Sequence, residues 1–388
     1  MLLPLFSLRR FVVSLVLVIA GLSAMAVDEA ALERRFQEAN AQLDAGKFQE
    51  ALEAYNAILE AKPDASNVWV TRAIARWNLN DRSGARADLA HIIRMQPDNF
   101  DAYRIRGQFR YQAEDYTGSL EDFNRAIELM AHIAPAELFG MRGEVRRKLE
   151  QPDAAIRDLN RAIELKPDYV SALYVRGELH DAAGRAAEAE ADYSRTIELA
   201  PEHADALNNR AWIRFHARRW DAAIADGQAA LRLAPKAAIA LRVVGYSQFA
   251  TGDYAAAAKT LGDAYEAEPT ADSSFALFIR HVALQRGGAS DQRLATSSVA
   301  WKDQPWLTAI ARFLTGALDE DGLEATAKDT TDDGELAGRA CEMHFYIGLK
   351  RLLAGDKSTA RLRFRSALQT EQKTYIEYTL AEAELARK

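Results

Sequence analysis

Small residues recur along this chain every 34 residues, with larger apolar residues set beside them. With the first unit started at Leu32, the eighth position reads Ala39, Ala73, Gly107, Gly143, Gly177, Ala211 and Gly245. The twentieth reads Ala51, Ala85, Ser119, Ala155, Ala189, Ala223 and Ala257. The twenty-seventh reads Ile58, Ile92, Ala126, Ala162, Thr196, Ala230 and Ala264. Tyr55, Phe123, Leu159, Tyr193 and Leu261 fall beside them and are large enough to fill the gaps between two close backbones. The pattern predicts two helices per unit. Turn residues lie between them, as at Gly46, Gly184 and Gly252, where glycine suits a left-handed helix ending. A proline stops the second helix. Pro63, Pro97, Pro167, Pro201, Pro235 and Pro269 are spaced 34, 70, 34, 34 and 34 residues apart, the long gap being two units plus two residues. A fixed period of this length means a stacked array.

The frame has two irregularities. In the third unit Ala131 stands where proline is expected and Pro135 follows, which predicts a longer turn near Met130–Pro135. After Pro269 the pattern fades. Helices are expected over Asp272–Arg286, Asp291–Lys302, Trp306–Thr315 and Gly322–Asp329, with a loop at Asp329–Glu335. The frame then returns through Gly348, Gly355, Ala360, Phe364 and Ala367, and Tyr375–Arg387 is expected to cap the stack. The domain reading is therefore 1–26 as a leader, 32–271 as seven units, 272–340 as a divergent helical region, and 341–388 as a final unit with a capping helix.

Composition changes this picture in two ways. The 388 residues would be large for one compact core, but a stack evades that limit because each unit packs on its neighbours. Ala, Leu, Arg and Glu dominate, which favours an all-α chain. Net charge is −7, which argues against general nucleic-acid binding. Arg9 and Arg10, the apolar run Phe11–Leu22 and Ala24-Met25-Ala26 have the layout of a cleaved secretory signal. A periplasmic protein is expected, a retained anchor being the alternative, with no integral membrane span after signal removal. Cys341 is the single cysteine, so no internal disulfide is possible.

Charges follow the same frame. Arg72, Arg106, Arg142, Arg176 and Arg210 precede the small eighth residue, and Asp88, Asp122, Asp158, Asp192 and Asp226 follow sixteen residues later. Arg76, Arg110, Arg146 and Arg214 lie one helical turn beyond. Matching aspartates favour a ladder of ion pairs tying helices together; a basic stripe for an anionic ligand is the alternative.

The segments Asp115–Leu129 and Ala154–Pro167 resemble the second-helix pattern of tetratricopeptide repeats. The resemblance covers 32–271 and implies a right-handed superhelical solenoid of antiparallel helix pairs. It implies that Trp77, Arg104, Tyr111, Arg147, Tyr174, Asn208, Trp212, Phe215, Arg242 and Tyr246 line a groove for a protein or peptide partner. Cys341–Gly348, Ala354-Gly355-Asp356, Ile376-Glu377-Tyr378 and Trp306 resemble the C-terminal part of NlpI-type envelope proteins, which implies an adaptor in the cell envelope. This chain lacks their lipidation cysteine. A structural subunit of an envelope complex, a homodimer or other homo-oligomer, and a cell-wall polysaccharide binder remain alternatives. Neither a phosphate loop nor a metal or nucleophile motif is present, and His91, His132, His180, His203, His216, His281 and His344 are scattered, so neither catalysis nor a cofactor or metal is expected.

Overall fold

The computed structural model describes residues 29–270, 273–290 and 292–387. The expected leader, 1–26, lies outside the described residues. The chain divides into two bodies, Met1–Ala172 and Leu173–Lys388, with the boundary inside one helix. They are called the N-terminal and C-terminal halves below.

Through residue 267 the helices come in pairs. In the N-terminal half these are α1 (29–44) with α2 (Phe48–Ala61), α3 (Ser66–Asn78) with α4 (Arg82–Met95), α5 (Phe100–Gln112) with α6 (Tyr116–Met130), and α7 (Ala136–Lys148) with α8 (Pro152–Leu165). The C-terminal half continues with α9 (Val170–Ala182) and α10 (Ala186–Leu199), α11 (Ala204–His216) and α12 (Trp220–Leu233), and α13 (Ala238–Thr251) and α14 (Tyr254–Ala267). Small residues set the spacing within a pair. A Cβ added at Gly177 would sit 2.8 Å from the Tyr193 ring, and one at Gly245 would sit 2.6 Å from Leu261. Both are inside van der Waals contact, so a larger residue there would force its neighbour to shift.

Each turn between paired helices contains one residue with positive φ. It is Gly46, Gly184 and Gly252 in three pairs, but Asn80 (64°), Glu114 (61°), Glu150 (55°) and Arg218 (59°) in the others. The geometry is periodic even where the sequence is not. Left-handed backbone costs a non-glycine residue about 1–2 kcal/mol, and tertiary packing enforces it here. Asp81, Asp115 and Asp253 cap the following helices by accepting from the backbone N–H three residues on. The two-residue insertion forms a 3₁₀ turn, Ala131–Ile133, after α6.

After α14 the pairing changes. α15 (Ser274–Arg286) is followed by α16 (Arg293–Ser297), a 3₁₀ turn (Ser298–Trp301), α17 (Pro305–Thr315) and α18 (Glu320–Ala327). The single helix expected over Asp291–Lys302 is thus a short helix and a tighter turn. α19 (Asp333–Leu353) begins earlier than expected, because the Asp332 carboxylate accepts from Glu335 N–H and starts a helix inside the acidic loop. α20 (Lys357–Gln369) pairs with α19. α21 (Ile376–Ala386) packs on α20 and α19, and also lies against α13 and α11, the first helices of two earlier pairs.

The cores of the halves differ. In the N-terminal half Tyr55 and Ile58, then Trp77, Leu89 and Phe109, then Phe123, Leu138 and Val145 belong to separate clusters. In the C-terminal half one continuous cluster runs from Ala211 to Ala383 and takes in α21.

Candidate partner-binding face

The repeated charges form rungs between the helices of a pair. Arg72 donates from Nε and Nη2 to the two oxygens of Asp88 at 2.9 and 2.7 Å. The same fork joins Arg106 to Asp122, Arg142 to Asp158, Arg176 to Asp192 and Arg210 to Asp226, at 2.6–2.9 Å. Arg76, Arg110, Arg146 and Arg214 add a second guanidinium to four of these carboxylates at 2.6–3.0 Å. In the fifth, His180 takes that place, 3.9 Å from Asp192; burial first, and Arg185 next, hold its imidazole below the usual histidine range. The aspartates are buried, so each needs its partners to offset desolvation. Arg142 also donates to Asn124 Oδ1 of the preceding pair at 2.9 Å, and Arg72 does the same to Asn56. Through these bonds the arginines tie the paired helices together.

With the rungs turned inward, the first helices present other side chains. In the N-terminal half, Tyr111 on α5 donates its hydroxyl to Glu144 Oε1 on α7 at 2.9 Å. Arg147, one turn along α7, holds both oxygens of Glu144 at 2.7 Å. Burial raises the Glu144 carboxyl, but the Arg147 and Tyr111 hydrogen bonds outweigh it and hold the group below the usual carboxylate range. The Tyr111 phenol is pushed up to about 12 by burial and by Glu144. Arg104 is half-exposed and pairs with Asp101 at 2.7 Å. These polar groups, fixed in place across two repeats, can hydrogen-bond an extended chain or a helix laid over them. Trp77 is not part of that surface. It is 8% exposed, stacked on Phe109 at 4.1 Å, and covered by Arg82.

The C-terminal half has a different face. Tyr174 is half-buried, with its ring 4.5 Å from His203, and Arg242 reaches Glu268 at 3.0 Å. Four further residues expected on an open wall are enclosed. Phe215 is 0%, Tyr246 2% and Asn208 7% exposed, and Trp212 is half-buried against the same core. Phe215 is packed by the rings of Trp212, Trp220 and Tyr246, and α21 lies against the same first helices. His216 Nδ1 meets Thr379 Oγ1 at 2.9 Å, Arg218 lies 3.6 Å from Glu382, and Arg387 donates to the Phe249 and Ala250 carbonyls at 2.6 and 2.8 Å. Aromatic identity marked these positions as a surface; nothing local to α11 or α13 marks them as covered by a helix some 160 residues later.

The core beneath α21 carries two buried carboxyls that sequence reasoning passed over. Glu342 accepts from Trp306 Nε1 at 2.5 Å, and Glu377 from the Tyr346 hydroxyl at 2.8 Å. Desolvation pushes both well above the carboxylate range, and Glu377 raises Glu342 further. Cys341 is buried beside them and its thiol is pushed up to about 12 by desolvation, the profile of an inert structural cysteine. Among the described residues, no cluster of His, Cys, Asp and Glu is arranged to hold a metal ion, and no helix is long and apolar enough to cross a membrane.

Comparison with known proteins agrees with this architecture. Family models described as tetratricopeptide repeat match residues 40–110 and, in three overlapping copies, 141–202, 180–238 and 228–274. RNA polymerase II-associated protein 3 of Xenopus laevis is 31% identical over 110 residues, 28% of this chain and 16% of that protein. The chain thus spans about a sixth of that relative's length. Among solved structures, PilF of Pseudomonas aeruginosa superposes with a TM-score of 0.51 at 16% identity, over 55% of this chain and 96% of that one. YrrB, described as a repeat protein with an unusual peptide-binding site, gives 0.44 at 25% identity, over 49% and 97%. The two repeat models together cover more than half of the chain. Paired helices, one residue frame and these family models lead to one conclusion: the chain belongs to the tetratricopeptide-repeat family.

Proposed function

We propose that the chain is a non-catalytic scaffold that holds a protein or peptide partner on the first-helix face of its N-terminal half. The observation that carries this is the Tyr111–Glu144–Arg147 network, which fixes polar side chains on neighbouring repeats before any partner arrives. Repeat proteins of this family bind protein partners. The secretory layout of 1–26 and the likeness of Cys341–Gly348 to NlpI-type proteins support an envelope location and an adaptor role there.

A photocrosslinking residue at Arg104 tests the reading in cells that express the chain. A discrete adduct that disappears in Tyr111→Ala/Arg147→Ala is expected. Absence of any adduct, or one indifferent to that double change, overturns it. Fractionation of the same cells checks location; retention in the cytoplasm overturns the envelope assignment.

A further inference from the structure

α20 departs from the other second helices. Its sequence, KSTARLRFRSALQ, contains no acid, whereas α2, α4, α6, α8, α10, α12 and α14 each carry at least one. Arg363 stands where the rungs have their aspartate, and it turns to Glu320 and Glu324 at 3.4 and 2.9 Å. Lys357, Arg361 and Arg365 follow one another at four-residue spacing, so they form one stripe along the helix. All three are exposed, and none has a side-chain hydrogen bond or ion pair among the described residues. Leu362 beside them is 60% exposed.

Lys357 and Arg361 of this stripe line a cleft of about 340 Å³, the lower range of small binding sites. Leu352 and Leu353 supply apolar wall, and Tyr254, Arg286 and Arg387 the far side. That far side is tied together by ion pairs. Arg286 grips both oxygens of Glu384 at 2.8 and 2.9 Å, and Arg387 shares that carboxylate. Arg387 also donates to the Tyr254 hydroxyl at 2.7 Å. Four cations and one carboxylate therefore line the cleft, in a chain whose net charge is −7.

We propose that this cleft and the stripe of α20 dock a short acidic peptide segment carrying an apolar residue. The proposal rests on the scaffold reading above and adds a second contact for a partner. Carboxylates of the segment would meet Lys357 and Arg361, and its apolar side chain would enter against Leu352 and Leu353. A membrane surface fits less well, because a flat lipid headgroup layer cannot reach into the cleft and α20 turns only Leu362 outward. A long nucleic acid is opposed by the acidic remainder of the chain.

The test uses the full chain and a fluorescein-labelled hexapeptide with acidic residues flanking a Leu-Phe pair, read by fluorescence anisotropy at low ionic strength. Saturable binding is expected, weakened about tenfold by Lys357→Glu/Arg361→Glu and less by Lys357→Gln/Arg361→Gln. The charge-matched pair Arg86→Glu/Arg94→Glu on α4 should leave it unchanged. A peptide with Gln in place of its acids should not bind. Lack of binding by the wild-type chain, retained affinity in the Lys357/Arg361 reversal, or an equal loss in the α4 pair each overturns the site. Binding to anionic vesicles in place of the peptide also overturns it in favour of a lipid. None of these readouts involves a cellular partner, so the scaffold proposal stands or falls separately.

Discussion

The two halves use one repeat frame and finish it differently. In the N-terminal half the core is divided into separate clusters, each bridging neighbouring pairs, and Tyr111, Glu144 and Arg147 are left at a half-exposed face. In the C-terminal half the core is continuous from Ala211 to Ala383, and α21 covers the equivalent face of α11 and α13. A repeat frame thus decides which helix faces inward within a pair. It does not decide whether that pair's surface stays free. That depends on distant chain, here 376–386, and it separates a face open to partners from one already filled.

The largest effect should come from the continuous core. Phe345 is fully buried and meets Tyr346 and Phe364 at ring distances of 5.3 and 6.0 Å. Phe345→Ala should cost about 3–5 kcal/mol. Hydrogen exchange should show protection lost together across α11–α21 and kept in α3–α6. Loss confined to α19 and α20 would break the comparison, since the C-terminal half would then be as local as the other.

Next is a rung. Asp158→Ala leaves the half-buried Arg142 and Arg146 without their carboxylate, at a cost of about 3 kcal/mol. The damage should stay near α7 and α8 and lower the melting temperature of the N-terminal half. An unchanged thermal transition would remove the rungs from the account of stability.

The third effect is a pH dependence found in one half. Glu342 and Glu377 have raised folded-state pKa values, so the folded chain holds more protons than the unfolded chain above the ordinary carboxylate range. Stability of the C-terminal half should therefore fall as pH rises from that range toward neutrality and beyond. Glu377→Gln keeps a polar group beside Tyr346 and removes the charge. It should flatten this slope and raise the melting temperature at pH 8 by a few degrees. A slope identical to wild type would assign the dependence to other groups.

The smallest effect is in a turn. Glu150 holds a φ of 55°, where Gly46, Gly184 and Gly252 serve in other pairs. Glu150→Gly should stabilise by about 0.5–1 kcal/mol, measured by urea unfolding, because relief of left-handed strain exceeds the added chain entropy. Destabilisation would mean that the Glu150 side chain contributes contacts of its own.

Much of the local structure was legible because it is local. Gly177 and Tyr193 lie sixteen residues apart, and one frame relates every such pair. Arg142 and Asp158 are readable for the same reason. The positive φ at Glu114 and Arg218 was hidden because the turn geometry is imposed by its helices, whatever residue occupies it. Phe215 and Tyr246 were misread because their burial comes from packing between helices, including the distant α21, and periodicity within α11 or α13 carries no trace of it. The rise of Glu342 and Glu377 was equally hidden, since each looks like any helical glutamate until a second helix removes its water.

The hydrogen bond between His216 and Thr379 spans 163 residues. During synthesis, repeats of the N-terminal half can close as soon as each pair has emerged, since their contacts are short in sequence. α11 and α13 have no such option. Their aromatic face waits, uncovered, until residues 376–386 exist, and for that interval the chain displays a helix-receiving surface that its finished form withholds. A holding chaperone would find the nascent chain there, and not at the face the folded protein keeps open.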